Sequence, residues 1–312
     1  MALYLVTGGA GFIGSHIVEA LVRRGDRVRV LDNFSTGNRL NLQSVPGIEV
    51  VEGDIRDVDL VRRTVQGADY VIHHAAIISI PQSMADPVTT NAVNVTGTLN
   101  LLQAARQSNV KRFVLASSCA VYGDNPALPL SETSDTRPLS PYAASKLIGE
   151  VYCQAFYRAY GLPTTCLRYF NIFGPRQNPD GDYAAVIPKF ARRMAAGQPP
   201  IIFGDGQQTR DFVHVSDVVL ANLLACERVE AIGQVFNVAS GRGVSLLELV
   251  EMMNRSNDTH LAPTFEGARE GDIRHSVGSN RRIADQLGFV LEKSFVDQLA
   301  EIIYTMTPGI VN

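Results

Sequence analysis

Net charge is almost absent from this sequence. Twenty-eight Lys and Arg residues against 31 Asp and Glu leave a formal charge of -3, so no polybasic excess exists to hold a phosphate backbone or an anionic bilayer. Neither nucleic acid nor a membrane is an expected partner. Cysteine is sparse and scattered: Cys119, Cys153, Cys166 and Cys226 form no C-x-x-C pair. In so long a chain this pattern points to buried free thiols in a reducing compartment and to no metal site. Long apolar runs are missing too. The longest, residues 70–81, holds His73 and His74 and is too short to cross a bilayer. No basic leader precedes the first strand-like run, so the expected address is the cytoplasm.

What the chain does contain is apolar mass. Of its 312 residues 46% are hydrophobic and 19% charged, with Gly 26 and Pro 15, enough to bury a sizeable core in one large unit or two fused ones. Short β-branched runs at 2–7, 27–31, 48–52, 70–74, 112–116 and 164–168 alternate with helical patterns at 12–24, 57–66, 87–108 and 141–160. Such alternation predicts βαβ units. The expected fold class is α/β: a Rossmann-like, doubly wound parallel sheet with a smaller C-terminal substrate-binding lobe. Ligands then lie outside the carboxyl ends of the strands. After Phe170 the rhythm breaks into Gly/Pro clusters and isolated helices at 184–196 and 215–227. This divides the chain into a cofactor-binding domain over 1–170 and a lobe over 171–312, part of which is expected to return to the sheet.

The first strand runs directly into Thr7-Gly8-Gly9-Ala10-Gly11-Phe12-Ile13-Gly14, and a helical pattern follows. Gly8 allows the tight turn, Gly11 a close backbone approach to a pyrophosphate, and Gly14 close packing of the helix on the strand. Asp32 ends the second strand, 18 residues beyond Gly14. A carboxylate there accepts from a ribose diol and repels a 2'-phosphate, which favours NAD over NADP. Asp54-Ile55 ends the third strand, where the aspartate is either a turn residue or an acceptor for an adenine amine. Ala75-Ala76 ends the fourth and leaves room for a flat cofactor.

A second constellation opens the helix after Ser140-Pro141: Tyr142 and Lys146 stand at i and i+4, on one helical face. An ammonium beside a phenol stabilises the phenolate and lowers its pKa from about 10 toward working pH, making a general base. With four lysines and ten tyrosines in the chain, this spacing arises by chance only about 0.1 times. Ser117-Ser118, at the end of the fifth strand, puts hydroxyls at the same edge as the glycine loop. Ser118, Tyr142 and Lys146 together form a proton-handling triad. Against these stand blander readings: His73 and His74 point to opposite faces of a buried strand, His214 and Asp217 cap a helix, and Arg281-Arg282 is a solvated face.

The glycine loop, Asp32-Asn33, Asp54, Ser117-Ser118 ahead of Val121-Tyr122-Gly123, and Ser140 through Lys146 together resemble the extended short-chain dehydrogenase/reductases. Within them the match is to the nucleotide-sugar 4-epimerases of UDP-hexoses. It spans nearly the whole chain, continuing through Arg168 to Asn171, Phe203 to Gly206, Arg210-Asp211 and Arg269 to Asp272. The resemblance implies an NAD site built from Gly8, Gly11, Phe12, Ile13 and Gly14, with Asp32, Asn33, Asp54 and Ile55 around the adenosine. Ala75, Ala76, Asn94, Tyr142, Lys146 and Tyr169 then line its nicotinamide half. It implies that Ser118, Tyr142 and Lys146 are catalytic. It also implies that the UDP-sugar meets Ser79, Ser118, Tyr142, Asn171, Val186, Phe203, Arg210, Arg269, Asp272 and Ser276. Forked arginine donors suit a diphosphate.

The resemblance also implies which reaction. Relatives that dehydrate or decarboxylate a 4-keto sugar carry a glutamate two residues before the tyrosine at 122, whereas this chain has Ala120 beside Cys119. Simple epimerisation is expected: oxidation at carbon 4, rotation of the keto sugar, and return of hydride to the opposite face, with NAD retained throughout. Ser276 either matches a gate that is a bulky tyrosine in some relatives, which opens the site to UDP-GlcNAc and UDP-GalNAc, or simply faces solvent. Residues 79–83 also resemble the N-acetylhexosamine branch. A UDP-uronate 4-epimerase and a non-catalytic NAD-sensing module stay open as alternatives. In this family the helices matching 87–108 and 141–160 pair two copies, so a homodimer is expected.

Overall fold

The computed structural model describes residues 1–180, 185–268, 273–292 and 294–306. The first half alternates strand and helix: β1 (Leu3–Thr7), α1 (Phe12–Arg23), β2 (Arg27–Asp32), α2 (Leu40–Gln43), β3 (Glu49–Glu52), α3 (Val58–Val65) and β4 (Tyr70–His73). Then come α4 (Ile80–Ala85), α5 (Pro87–Asn91), α6 (Gly97–Gln107), β5 (Arg112–Ser118), α7 (Pro141–Tyr160) and β6 (Thr164–Tyr169). The second half holds β7 (Asn171–Phe173), α8 (Val186–Ala195), β8 (Ile201–Phe203), β9 (Thr209–His214), α9 (Val215–Glu227), β10 (Gln234–Val238) and β11 (Gly243–Ser245). It ends with α10 (Leu246–Ser256), β12 (Thr264–Glu266), β13 (His275–Ser276), α11 (Arg281–Leu287) and α12 (Phe295–Met306).

All pairs in the main sheet are parallel, in the order β3-β2-β1-β4-β5-β6-β10. The seventh strand, β10, comes from the second half of the chain. Period-two alternation sends Tyr4 and Val6 to the sheet face that packs with α1, α9 and α11, and Leu5 to the face that packs with α3, α6 and α7. Buried on both faces, the central strands read as continuous apolar runs. Consecutive strands turn opposite ways from β1, so a crevice opens at the carboxyl ends of β1 and β4.

Two expected elements change. The helix expected over 87–108 is α5 and α6 joined through a π-helical turn at Ala92–Thr96; a π turn reseats the side chains that follow it. The fifth strand runs on to Ser118, and the next four residues wind into a 3₁₀ turn, Cys119–Tyr122. By contrast α7 keeps its expected bounds. The Ser140 hydroxyl accepts from Ala143 N, Pro141 opens the first turn, and Gly161 closes the helix at φ 72°.

The C-terminal elements share their own core of Phe173, Phe190, Met194, Phe212, Leu249 and Leu299. There β11, β9 and β13 form a small sheet with β7 against β9, while β12 pairs with β8. Leu130, in the loop before α7, accepts from Ser279 N at 2.7 Å and donates to Val277 O at 2.8 Å, which ties this sheet to the edge of the larger one.

Candidate active site

The turn after β1 is shaped by glycine. Gly8 has φ 69°, and a Cβ on it would stand 2.7 Å from Ala75 N; on Gly14 it would stand 2.2 Å from Gly8 O. Any side chain at either position collides with backbone, so the loop stays a thin cradle over the strand edge. No side chain caps α1, and its first turn carries no acidic residue. Its N-terminus, at Phe12, Ile13 and Gly14, is thereby left to an anion. Asp32 is buried; its carboxylate accepts from Ala10 N at 2.9 Å and Phe34 N at 2.8 Å, which locks the glycine loop to β2. From the second half of the chain, Arg176 reaches Ser15 and Glu19, and Pro175 O meets His16, all on α1.

Asp54 is more fully engaged than its sequence position suggests. Oδ1 accepts from Arg56 N and Nε, and Oδ2 from Arg56 Nη2 and Asn33 Nδ2, all within 3.1 Å. These donors hold the carboxyl down at about 2, the Arg56 fork first among them, and they occupy all four of its acceptor positions. An adenine amine therefore meets this carboxylate only if Arg56 moves aside. Ile55 beside it is buried against Gly97.

Ala75, Ala76, Asn94, Lys146 and Gly149 line a narrow slot below the glycine loop. Asn94, in the π turn, pairs with both the N–H and the C=O of Ile77 and donates to Ser145 Oγ at 3.0 Å, pinning the loop after β4 to α7. The buried Tyr169 bonds Asn222, and its ring stacks on His74 at 5.7 Å. His73 turns the other way, to Thr7 and Thr98.

Tyr142, Lys146 and Ser118 come together at the end of β5. The Ser118 hydroxyl lies beside the Tyr142 phenol and favours its ionised form. Lys146 Nζ donates to Ala116 O at 2.8 Å and lies 6.0 Å from the centre of the Tyr142 ring. Here the electrostatics differ from the expectation. Burial pushes Tyr142 up to about 12, opposed by the Ser118 hydroxyl, and pulls Lys146 down to about 8. The cost of desolvating the phenolate outweighs what Ser118 contributes, so in the protein alone the phenol is neutral at pH 7.

Ser83, expected only as part of the 79–83 segment, has a structural role of its own. Its hydroxyl donates to Ile80 O at 2.6 Å and accepts from Tyr142 N at 3.1 Å, so the 79–85 segment caps the helix that carries the phenol. Ser79 is itself the cap of α4, accepting from Gln82 N. Its only sequence signal was nearness to Ser79.

The remaining candidates lie across the crevice. Asn171 Nδ2 donates to Asp211 O at 3.2 Å, Arg210 reaches Thr209 O and Arg274 O, and Phe203 O accepts from Gln208 Nε2. Val186 opens α8 and packs against the C-terminal core. Ser276 is buried, not solvent-facing, and lies beside the Cys119 thiol next to Ser118. Burial holds that thiol up at about 11, hence neutral. Asp211 gathers Ser240 N and Oγ, Gly241 N and Gly278 N within 3.1 Å, which fixes β9 against the strand that bears Ser276. Arg269 and Asp272 lie outside the described residues. Arg282, expected on a solvated face, is half-buried with its guanidinium 5.5 Å above the Phe236 ring. Among the described residues no cluster of His, Cys, Asp or Glu forms a metal site, and no helix is long and apolar enough to cross a membrane.

The phenol's burial predicts a titration. In ultraviolet titration of the cofactor-free protein, the difference from Tyr142→Phe is expected to show a phenol ionising near 12. Ionisation near neutrality would show that Lys146 alone activates it.

Comparison with known proteins agrees with this geometry. Residues 4–239 match the NAD dependent epimerase/dehydratase family. The UDP-glucose 4-epimerase of Mycolicibacterium smegmatis is 40% identical over 304 residues, covering 96% of each chain. Among solved structures, UDP-N-acetylglucosamine 4-epimerase from Methanobrevibacter ruminantium, in complex with UDP-N-acetylmuramic acid, superposes with a TM-score of 0.93 at 39% identity and 97% coverage of both chains. UDP-glucose 4-epimerase from Thermotoga maritima, with UDP-glucose, gives 0.92 at 37% identity, covering 96% of this chain and 97% of that one. A glycine cradle at the sheet's crossover, a Tyr-x-x-x-Lys helix beside it and a family match over most of the chain lead to one conclusion: the protein belongs to the NAD dependent epimerase/dehydratase family.

Proposed function

We propose that the chain is a UDP-hexose 4-epimerase, inverting carbon 4 of UDP-glucose and UDP-galactose and of their N-acetylated counterparts, with NAD held throughout the cycle. The observation that carries this reading is the meeting of Tyr142, Lys146 and Ser118 at the strand edge beside the glycine cradle. The named relatives, which act on glucose and N-acetylglucosamine nucleotides, support it.

NAD fits the cradle. Gly8, Gly11 and Gly14 leave the pyrophosphate room at the start of α1, Asp32 offers its remaining lone pairs to a ribose diol, and Ala75, Ala76 and Tyr169, at the carboxyl ends of β4 and β6, are proposed to meet the nicotinamide end. When bound, it supplies hydride acceptance and return at carbon 4 and a positive ring. Tyr142 takes the proton of the sugar 4-hydroxyl, while Ser118 bonds the same oxygen and relays the proton. Lys146 opposes the phenolate charge from the next turn of α7. Inversion needs one proton taken and the same proton returned, so a single phenol suffices. The neighbouring positions carry no second acid or base: Ala120 cannot titrate and the Cys119 thiol is neutral. Across the crevice Asn171, Arg210 and Phe203, together with Arg269 and Asp272, are proposed to hold the uridine diphosphate.

The purified protein, given UDP-galactose or UDP-GalNAc separately with no added NAD, is expected to form the epimer of each. Tyr142→Phe is expected to lower kcat about 100- to 10,000-fold. Unchanged turnover in that variant, or no epimer from any UDP-hexose, defeats the reading.

The small hydroxyl of Ser276 beside Cys119 supports an acetamido group in the site. Ser276→Tyr is expected to lower the kcat/KM ratio of UDP-GalNAc to UDP-galactose by about 10-fold or more. A ratio that does not move removes the gate.

A second copy is proposed to cover the outer faces of α4, α5 and α7, where Met84, Val88 and Val151 are 61%, 78% and 60% exposed. Sedimentation velocity at micromolar concentration is expected to show a dimer, and Val151→Glu a monomer. A wild-type monomer contradicts the pairing.

A further inference from the structure

Directly beneath the proposed site lies a buried polar cluster that its chemistry does not use. Glu150 Oε1 accepts from Ser117 Oγ at 2.5 Å and from Arg168 Nε at 2.9 Å, and Oε2 accepts from Arg168 Nη2 at 2.7 Å. Arg168 Nη1 donates to Tyr122 Oη at 2.9 Å, and Tyr122 donates to Asn237 Oδ1 at 2.6 Å. All five side chains are buried.

The spacing is what gives this cluster its place. Tyr142, Lys146 and Glu150 recur every fourth residue and so share one face of α7. That face meets the end of β5: the ammonium donates to Ala116 O and the carboxylate accepts from Ser117 Oγ, and the phenol comes close to Ser118. Arg168 is the register partner of Ser117 on β6. Its other arm holds Tyr122, the last residue of the turn that starts after Ser118. The cluster therefore grips the segment Ser117–Tyr122 at both ends, with Ser118 between.

A buried ion pair is a poor way to gain stability, because apolar side chains of similar volume usually do as well or better. A bidentate pair adds direction at two fixed points. We infer that the Glu150–Arg168 pair is a positioning device that sets the register of α7 on β5, and thereby the approach of the Tyr142 phenol to Ser118. The inference rests on the epimerase reading for its kinetic test and on geometry for its structural one.

Three variants separate positioning from mere stability: Glu150→Gln, Arg168→Lys, which keeps the charge but loses the fork, and the double Glu150→Leu, Arg168→Met, which removes both charges together. Each is expected to lower kcat per bound NAD about 10- to 100-fold through misplacement of the phenol. KM for the UDP-hexose is expected to stay within about two-fold of wild type, since ground-state binding lies across the crevice. The double variant is expected to melt close to wild type. Wild-type kcat per bound NAD in Arg168→Lys or the double variant overturns the inference. So does a crystal structure of the double variant in which Lys146 still donates to Ala116 O and the Tyr142 phenol keeps its place beside Ser118, whatever its turnover. A wild-type protein that turns over no UDP-hexose defeats the epimerase reading instead, and the variant structure then decides the positioning role alone.

Discussion

Everything in the candidate site hangs on how one helix is seated on one strand. Helix α7 must bring a phenol and an ammonium, both costly to bury, to the final residues of β5. It does so because its inward face repeats every four residues, while the strand end offers a hydroxyl at Ser118 and a backbone carbonyl at Ala116. The seating is reinforced from outside the helix. Ser140 and Ser83 between them satisfy two of the N-terminal N–H groups, and Asn94 ties Ser145 to the loop after β4.

Desolvation gives the site its resting state. A buried phenol is held neutral and a buried ammonium is brought close to losing its proton, each pushed away from the charge it would carry in the reaction. At pH 7 Lys146 still holds its proton and its charge, while the Tyr142 phenol stays neutral. In the protein alone Ser118 opposes the phenol's shift in part; a cofactor bound with a positive ring would oppose it further.

The opposite wall of the crevice is built on a different principle. Here β9 and β13 carry Arg210 and Ser276 in parallel register, and the carboxylate of Asp211 gathers four donors from the loops on either side. Leu130 then bonds Val277 and Ser279, so the wall is fastened to the loop that leads into α7. The strand β10 strengthens the union, since it leaves the C-terminal elements to close the edge of the main sheet beside β6.

Local patterns carried much of this. Short β-branched runs made the six strands legible, Ser140-Pro141 marked the start of α7, and glycine spacing marked the cradle, because each depends on residues near one another in sequence. The π turn at Ala92–Thr96 was not legible, since tertiary packing rather than propensity sets such a turn. Neither was the saturation of Asp54 by Arg56 and Asn33, or the burial of Arg282 over Phe236. By itself the sequence determined that a phenol and an ammonium would share a helical face, and that a glycine turn would precede a helix. Only the tertiary structure decided that Ser118 would stand beside that phenol, that Ser83 would cap its helix from another segment, and that burial would hold the phenol neutral. Those outcomes depend on distances between residues far apart in the chain and on the water excluded when the elements pack.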